Sequence, residues 1–276
     1  QKPDTLLLLG VVFMVIAVAF KFGAVPFHMW LPDVYEGSPN PVVSFIATAP
    51  KLAAFGMIFR IVWDLFGSLQ ADWSSFLLIM AVLSLFLGNI VAIAQTNIKR
   101  MLAYSTISHV GFIFLALYTG DFAAGLYYML AYSLMTAGVF GVLVVLSYGG
   151  VEIEQINDLA GLDKKHRWLA LMMLLLMFSL AGIPPSIGFY AKLTVLMSLV
   201  NHGAAPLALF ALVMSVIGAF YYLRVVRVVY FDPPLNDAQV TLPMGVSAVL
   251  SLNVLSTWIL GIFPAMLMAI CLGIFA

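Results

Sequence analysis

The sequence predicts an all-α polytopic membrane protein with about eight transmembrane helices, of which the first and the sixth are discontinuous. Of its 276 residues, 64% are hydrophobic and only 9% are charged, whereas soluble domains are about one quarter charged. The mean hydropathy is +1.11, and apolar runs recur at the length of about 20 residues that crosses a bilayer. Composition and run length therefore indicate that lipid surrounds most of the chain.

The composition also excludes several kinds of partner and site. The formal net charge is zero, so no nucleic-acid partner is predicted. The single cysteine, Cys271, excludes a disulfide framework, a CxxC metal site and a cysteine-bound iron–sulfur cluster on this chain. No GxGxxG or P-loop pattern occurs, so no nucleotide site is predicted. The chain opens at Gln1 without a recognisable signal peptide, and the missing initiator methionine predicts a piece of a longer protein.

Eight apolar segments, taken in order, define the predicted spans. These are 5–22, 42–64, 75–96, 102–119, 123–147, 168–199, 206–230 and 243–272. The connections are short except for 149–167, which carries many charged residues. The sixth segment is too long for one crossing, so it must contain a break. No soluble domain is predicted.

Basic residues predict the orientation of these spans. They concentrate in alternate connections: Lys99, Arg100, Lys164, Lys165, Arg167, Arg224 and Arg227. Because lysine and arginine accumulate on the cytoplasmic side, the first span is predicted to end on that side (or on the matrix or stroma side). Both ends of the chain then lie on the opposite side.

Three lysines lie within predicted spans, where a central lysine costs roughly 2.5–3.5 kcal/mol. Lys51 lies about 15 Å along its helix, near the bilayer centre, where its side chain is too short to reach water. Lys192 lies well inside the sixth span, and Lys21 ends the first apolar run. For Lys21 and Lys192, a side chain that reaches back to the membrane surface is a competing interpretation.

The acids do not account for these lysines, since all twelve lie in connections or at span ends. Either the lysines are neutral part of the time, because burial disfavours their charge, or their acidic partners lie on another chain or on an absent segment. A lysine whose charge comes and goes is suited to carrying protons.

Two histidines extend this set of titratable groups. His28 follows the first break, and His109 lies about 13 Å up its helix from Arg100. Imidazole titrates near neutral pH and suits a proton relay. A packed His109 bonded to a neighbouring serine or tyrosine is an equally good interpretation. We expect Lys51, Lys192 and His109 to lie along one mid-membrane polar line, facing the interior of the helix bundle.

Helix-breaking residues interrupt two spans beside the lysines. Gly23 and Pro26 interrupt the first span, and Gly182, Pro184 and Pro185 interrupt the sixth. Irregular backbone at membrane depth persists where it is buried in protein or lines a wet cavity. Half-helices next to ionisable groups, recurring in two halves of a chain, are typical of the ion path of a transporter. The recurrence suggests an internal repeat whose first copy is incomplete.

Five stretches of the sequence resemble one family. They are KFGAVPFHMWLPDVYEGSPNPVV, TAPKLAAFG, NIVAIAQTNIKRMLAYSTISHVGF, INDLAGL and SLAGIPPSIGFYAK. They resemble the antiporter-like membrane subunits of proton-pumping NADH:quinone oxidoreductase, complex I, over essentially the whole chain. The text PDVYEGSPNPV and the lysine at 192 are most similar to the subunit N branch, called subunit 2 in mitochondria and plastids.

The resemblance implies a larger fold, of about fourteen helices in two inverted five-helix repeats. Residues 1–70 would be the end of the first repeat, with two helices of which the first is broken. Residues 71–235 would be the second repeat, with five helices and a break within 168–199. Residues 236–276 would be the C-terminal transmembrane helix. The chain would then begin near the seventh helix and lack the N-terminal half of its subunit.

The resemblance also implies roles for the lysines. Lys21 would pair with a glutamate upstream of Gln1, Lys51 would be the central relay, and Lys192 would lead to the outer side. His28 or His109 would assist them. Protons would cross at mid-membrane without redox chemistry on this chain. NADH, FMN, iron–sulfur clusters and quinone would belong to partner subunits, and no cofactor or metal to this one.

The partners implied are the neighbouring antiporter-like and small membrane subunits, the lipid bilayer, and the absent half of the same subunit. The location implied is an energy-transducing membrane, foremost the bacterial inner membrane, with mitochondrial and thylakoid membranes as alternatives. Two related functions compete: a subunit of a Na+/H+ antiporter, or of a membrane-bound hydrogenase. A structural membrane scaffold with a vestigial polar axis is an alternative of another class.

Overall fold

The structure is a computed structural model that describes residues 5–61, 66–147, 152–234 and 244–275. These segments contain twelve α-helices. They contain no β-strand, and their one isolated β-bridge joins Asn97 and Gln155. In order, α1 to α12 are Thr5–Phe22, Trp30–Gly37, Asn40–Ile58, Gln70–Ala94, Ile98–Tyr118, Phe122–Leu146, Leu162–Lys165, Arg167–Ala181, Ile187–Asn201, Ala205–Phe231, Met244–Ile262 and Pro264–Phe275. The predicted all-α class is confirmed.

Six helices of the described segments are long and apolar enough to cross a membrane. They are Asn40–Ile61, Trp73–Ala94, Ile98–Tyr118, Phe122–Leu146, Ala205–Phe231 and Met244–Ile262. Each corresponds to one of the eight predicted spans. The remaining two spans are the predicted broken ones, whose apolar helices are shorter because an interruption divides them: the first is α1 followed by α2, and the sixth is α8 followed by α9.

Two of the differences between predicted and observed boundaries have a local reason. The last span, 243–272, is two helices, because Pro264 cannot continue α11 and instead opens α12. The fourth span begins at Ile98 rather than at 102. The side chain of Asn97 accepts a hydrogen bond from the Arg100 backbone N–H at 3.0 Å and so caps the helix ahead of its apolar run.

The helices α5 and α6 form the centre of the bundle. In the most apolar part of α5, 89% of the residues are buried, against 22% in α11. The close approach of α4 to α5 depends on two glycines. A Cβ at Gly88 would lie 2.6 Å from the Ser108 nitrogen, and one at Gly111 would lie 2.9 Å from the Ala81 oxygen. This close contact places Ser108 of α5 directly against α4.

Ion pairs tie α2 to the start of α5. Arg100 Nη1 lies 2.8 Å from Asp33 Oδ1 and 2.7 Å from Glu36 Oε2. The buried Lys99 Nζ lies 3.0 Å from Glu152 Oε2 and donates to the Ser38 carbonyl oxygen. Asp33 and Glu36, which the sequence placed in a connection or at a span end, lie on α2 with their side chains exposed, and there they hold the second half of the broken span against α5.

Replacing Arg100 by glutamine is expected to lower the free energy of unfolding by about 1 kcal/mol, because partly exposed ion pairs are weak and screened by salt. Thermal unfolding in detergent at low and at high salt measures this change. The exposed Lys164, replaced by glutamine, is the matched control and should leave the salt dependence unchanged. Equal salt dependence in the Arg100 variant and the wild type would contradict the prediction.

Candidate functional site

The first broken span ends in a left-handed glycine that exposes the end of α1. After Phe22 the backbone turns at Gly23, whose φ is +75°, a conformation that glycine adopts without a steric cost. The final carbonyls of a helix have no partner within the helix. At this end, the Phe22 carbonyl oxygen accepts a hydrogen bond of 2.7 Å from the ammonium group of Lys51, which reaches across from α3.

The second broken span repeats this arrangement. The helix α8 ends at Ala181, and Gly182 follows with a φ of +87°. Lys192, on α9 beyond the break, turns back to the end of α8. Its Nζ donates to the Leu180 carbonyl oxygen at 3.1 Å and to the Ala181 carbonyl oxygen at 2.8 Å.

Among the described residues, the two lysines are therefore bound by backbone carbonyls rather than by acids. Lys51 is 1% exposed and Lys192 is 8% exposed. Each lies at the C-terminal end of a half-helix, where the unpaired carbonyls and the helix dipole favour a positive charge. Each lysine also satisfies carbonyl oxygens that would otherwise be buried without a donor. The breaks thus create the binding sites of the lysines.

The imidazole of His109 is held at both of its nitrogens. Its Nδ1 lies 2.8 Å from the Tyr128 hydroxyl of α6, and its Nε2 lies 3.0 Å from the Tyr222 hydroxyl of α10. The hydroxyl of Ser105, one turn before His109 on α5, makes a hydrogen bond to the Tyr222 hydroxyl. The buried His109 is bonded to two tyrosine hydroxyls, as the packed interpretation expects. A tyrosine hydroxyl can both donate and accept a hydrogen bond, so the same arrangement is also compatible with a relay.

A small cavity borders both Lys192 and His109. Its volume is about 10 Å³, close to the lower limit for one water molecule. It is lined by Asn89, Ser108, His109, Phe112, Lys192, Ser215, Gly218, Tyr221 and Tyr222. Within it, Lys192 Nζ lies 5.8 Å from the centre of the Phe112 ring. One water in this space would be shared by the lysine and the groups around the imidazole.

The structure brings some of the predicted site residues together and leaves others apart. Lys51, Lys192 and His109 are all buried in the bundle interior, as expected for side chains turned away from lipid. Lys192 and His109 share the cavity. Lys51 lies at the end of α1, and the hydrogen bonds found among the described residues do not connect it to that cavity. Its predicted place in a relay stays a prediction.

Lys21 and His28 lie at the first break. Lys21 is exposed in the last turn of α1, and the predicted carboxylate partner upstream of Gln1 stays a prediction. His28 is half-buried between α1 and α2. Its Nδ1 has no hydrogen-bond partner within the part of the chain that the structure describes. Across the same part, no group of three histidine, cysteine or acidic side chains is placed to bind a metal ion.

The sequence interpretation missed the polar residues of α4 and α10 that border the cavity. The Tyr221 hydroxyl donates to Asn89 Oδ1 at 3.0 Å, and Asn89 Nδ2 donates to Ser108 Oγ at 2.9 Å. Gly218 leaves room for this contact, since a Cβ there would lie 2.6 Å from Asn89 Oδ1. An asparagine in mid-span and paired tyrosines in an apolar helix were the signals that could have identified these residues.

Comparison with known proteins identifies the same family along most of the chain. Residues 2–218 match the family described as NADH:quinone oxidoreductase/Mrp antiporter, TM. The chain is 52% identical over 264 residues to NADH-quinone oxidoreductase subunit N of Thioalkalivibrio sulfidiphilus, which covers 95% of this chain and 55% of that protein. It is 58% identical over 234 residues to subunit N of Neisseria gonorrhoeae, covering 84% of this chain and 49% of that protein.

A solved structure agrees with these relatives. A chain of respiratory complex I from Thermus thermophilus with bound aureothin superimposes with a TM-score of 0.86 at 34% identity, over 97% of this chain and 60% of that one. The chain spans about half the length of the curated relatives that it matches. The sequence and the fold agree that this chain belongs to the NADH:quinone oxidoreductase/Mrp antiporter membrane family.

Proposed function

We propose that this chain is part of a membrane subunit of a proton-translocating NADH:quinone oxidoreductase and carries protons through the middle of the membrane. The observation that supports this most is the pair of buried lysines, each bound to the C-terminal carbonyls of a broken helix. The relatives named subunit N, which come from bacteria, support the bacterial inner membrane as its location.

The carbonyl sites allow a lysine to change its charge in place. An amine has two N–H bonds and one lone pair, whereas an ammonium has three N–H bonds. At Lys192, two donors are occupied by the Leu180 and Ala181 carbonyls, and these two bonds exist in both states. The third position alone changes between a lone pair and an N–H, so the proton is gained and lost there without a rearrangement of the backbone.

The relay joins these lysines through water and histidine. Lys192 exchanges a proton with a water in the shared cavity, which also borders His109. Lys51 exchanges protons with this cavity through further water molecules, because bridging water connects groups that are too far apart for a direct hydrogen bond. Lys21, paired with a glutamate on the segment that this chain does not contain, supplies the proton with the help of His28.

The rest of the machinery belongs to other parts of the assembly. The divisions 1–70, 71–235 and 236–276 are the end of one inverted repeat, a complete second repeat and a closing C-terminal segment. NADH, FMN, iron–sulfur clusters and quinone bind to partner subunits, and this chain contributes no redox centre. Its partners are the neighbouring antiporter-like and small membrane subunits and the N-terminal half of its own subunit.

A Na+/H+ antiporter subunit is the second candidate, because the matched family includes the Mrp antiporters. The complete complex in sealed vesicles separates the two functions. An oxidoreductase subunit translocates protons only when NADH and quinone are supplied. Sodium-dependent proton exchange without either substrate would favour the antiporter.

Replacing Lys51 by methionine in the complete complex is expected to reduce NADH-driven proton translocation on the order of 100-fold, the range contributed by a positioned proton-transfer group. Methionine keeps most of the length of the side chain and its apolar contacts but not the donor to the Phe22 carbonyl. Proton uptake by vesicles, per assembled complex, measures the effect. The exposed Lys164, replaced by methionine, is the control. Normal pumping by the Lys51 variant would reject the relay and favour a scaffold.

A further inference from the structure

The two hydroxyls that hold His109 differ in their other partners. Within the described residues, the Tyr128 hydroxyl is hydrogen-bonded to His109 Nδ1 alone. The Tyr222 hydroxyl has a second partner, since it also bonds the Ser105 hydroxyl. Tyr222 lines the cavity that it shares with Lys192, and Tyr128 does not. The side of the ring that carries Nε2 therefore has both a second hydroxyl and access to a water site.

A hydroxyl next to another hydroxyl can reverse the direction of its hydrogen bonds. When the ring is neutral with a proton on Nδ1, the Ser105 hydroxyl donates to Tyr222 and the Tyr222 hydroxyl donates to Nε2. When Nε2 is protonated, its N–H donates to Tyr222 and the Tyr222 hydroxyl turns to Ser105. In both states Nδ1–H donates to Tyr128. Every polar group keeps a partner, and no heavy atom has to move.

We propose that Tyr222 is the residue through which His109 gains and loses its proton at Nε2, and that Tyr128 and Ser105 are positioning residues. The Tyr222 hydroxyl proton moves to Nε2 while its oxygen takes a proton from a water in the cavity. That water is restored by the ammonium of Lys192, which becomes a neutral amine. One N–H bond is broken at the lysine and one is formed at the imidazole, so the proton count balances.

This inference rests on the proposed function, and it assigns a positioning role to residues that line the cavity. Part of the cavity wall is fixed by the chain of hydrogen bonds from Tyr221 to Asn89 and Ser108. The rings of Tyr221 and Tyr222 lie 4.4 Å apart, centre to centre. This packing fixes the Tyr222 ring, so the hydroxyl stays hydrogen-bonded to the imidazole and at the edge of the cavity while its proton changes direction.

The test is Tyr222→Phe in the complete complex, with Tyr127→Phe as the matched control. Phenylalanine keeps the ring contact with Tyr221 and removes the hydroxyl. Tyr127 is equally buried, next to Tyr128 in sequence, and its hydroxyl has no hydrogen-bond partner among the described residues. The readouts are the amount of assembled complex and the rate of NADH-driven proton translocation in H2O and in D2O.

For Tyr222→Phe we expect a translocation rate lower by about tenfold per assembled complex. The loss of one buried hydrogen-bond partner costs a free energy that corresponds to about this factor. We also expect a larger solvent isotope effect, because proton transfer to the ring becomes the slow step. Ser105→Ala should show a smaller change of the same kind. Tyr127→Phe should match the wild type in both solvents.

An unchanged rate, or a rate that falls only with the yield of complex at an unchanged isotope effect, would overturn the proposal for Tyr222. If Tyr222→Phe does not assemble, the isotope effect of Ser105→Ala decides in its place. Lys51→Met, measured in parallel, separates the two hypotheses. Normal pumping by that variant rejects the proposed function, whereas its loss together with a normal Tyr222 variant rejects this inference alone.

Discussion

Replacing Lys192 by arginine is expected to reduce proton translocation by the complete complex strongly while leaving the assembled complex intact. A guanidinium keeps the positive charge and offers enough donors for the Leu180 and Ala181 carbonyls. It does not release its proton at any physiological pH. We therefore expect the rate of NADH-driven proton uptake to fall on the order of 100-fold, with a yield of complex close to that of the wild type.

The companion variant Lys192→Met separates proton transfer from structure. Methionine leaves the two carbonyls without this donor, and each buried group without a partner costs about 1–3 kcal/mol. We expect the methionine variant to lose both pumping and thermal stability, and the arginine variant to lose pumping alone. Wild-type pumping by the arginine variant would show that residue 192 needs a charge but does not exchange a proton, and its role in the relay would be rejected.

Residue type and depth were sufficient to predict where the backbone breaks. Glycine and proline at membrane depth predicted the interruptions at Gly23 and Gly182, because helix geometry is local and a missing N–H or a left-handed turn acts within a few residues. The interior position of Lys51 followed from the length of its side chain against the thickness of the bilayer. These conclusions needed no knowledge of which helices are neighbours.

The partners of these residues could not be predicted in the same way. The acceptors of the lysines are backbone carbonyls, which every residue carries, so no sequence pattern marks them. The Lys51 acceptor at Phe22 and the His109 partner at Tyr222 depend on how distant segments pack. In lipid, the apolar face of a helix does not show which neighbour it touches. The sequence therefore predicted the chemistry of these side chains but not the groups that they contact.

The break in the sixth span packs against α11, which the sequence predicted only as part of the C-terminal transmembrane helix. At Gly261, α11 crosses directly over residues 185–187. A Cβ at this position would lie 2.1 Å from the Pro185 carbonyl oxygen and 2.5 Å from the Ile187 nitrogen. Both neighbours are backbone atoms, one just before α9 and one at its first residue, so they cannot turn aside as a side chain could. The helix α9 carries Lys192.

Replacing Gly261 by alanine is therefore expected to push α11 away from the break and to lower the free energy of unfolding by about 3 kcal/mol, the upper range for an overpacked core. Gly245, near the start of the same helix, has nothing within 4 Å of an added Cβ. Its replacement by alanine is the matched control and should be neutral or slightly stabilising, because alanine favours the helix. Thermal unfolding in detergent and the yield of assembled complex measure both variants. Equal stability of the Gly261 variant and the wild type would show that α11 does not clamp the break, and the site of Lys192 would then owe its shape to α8 and α9 alone.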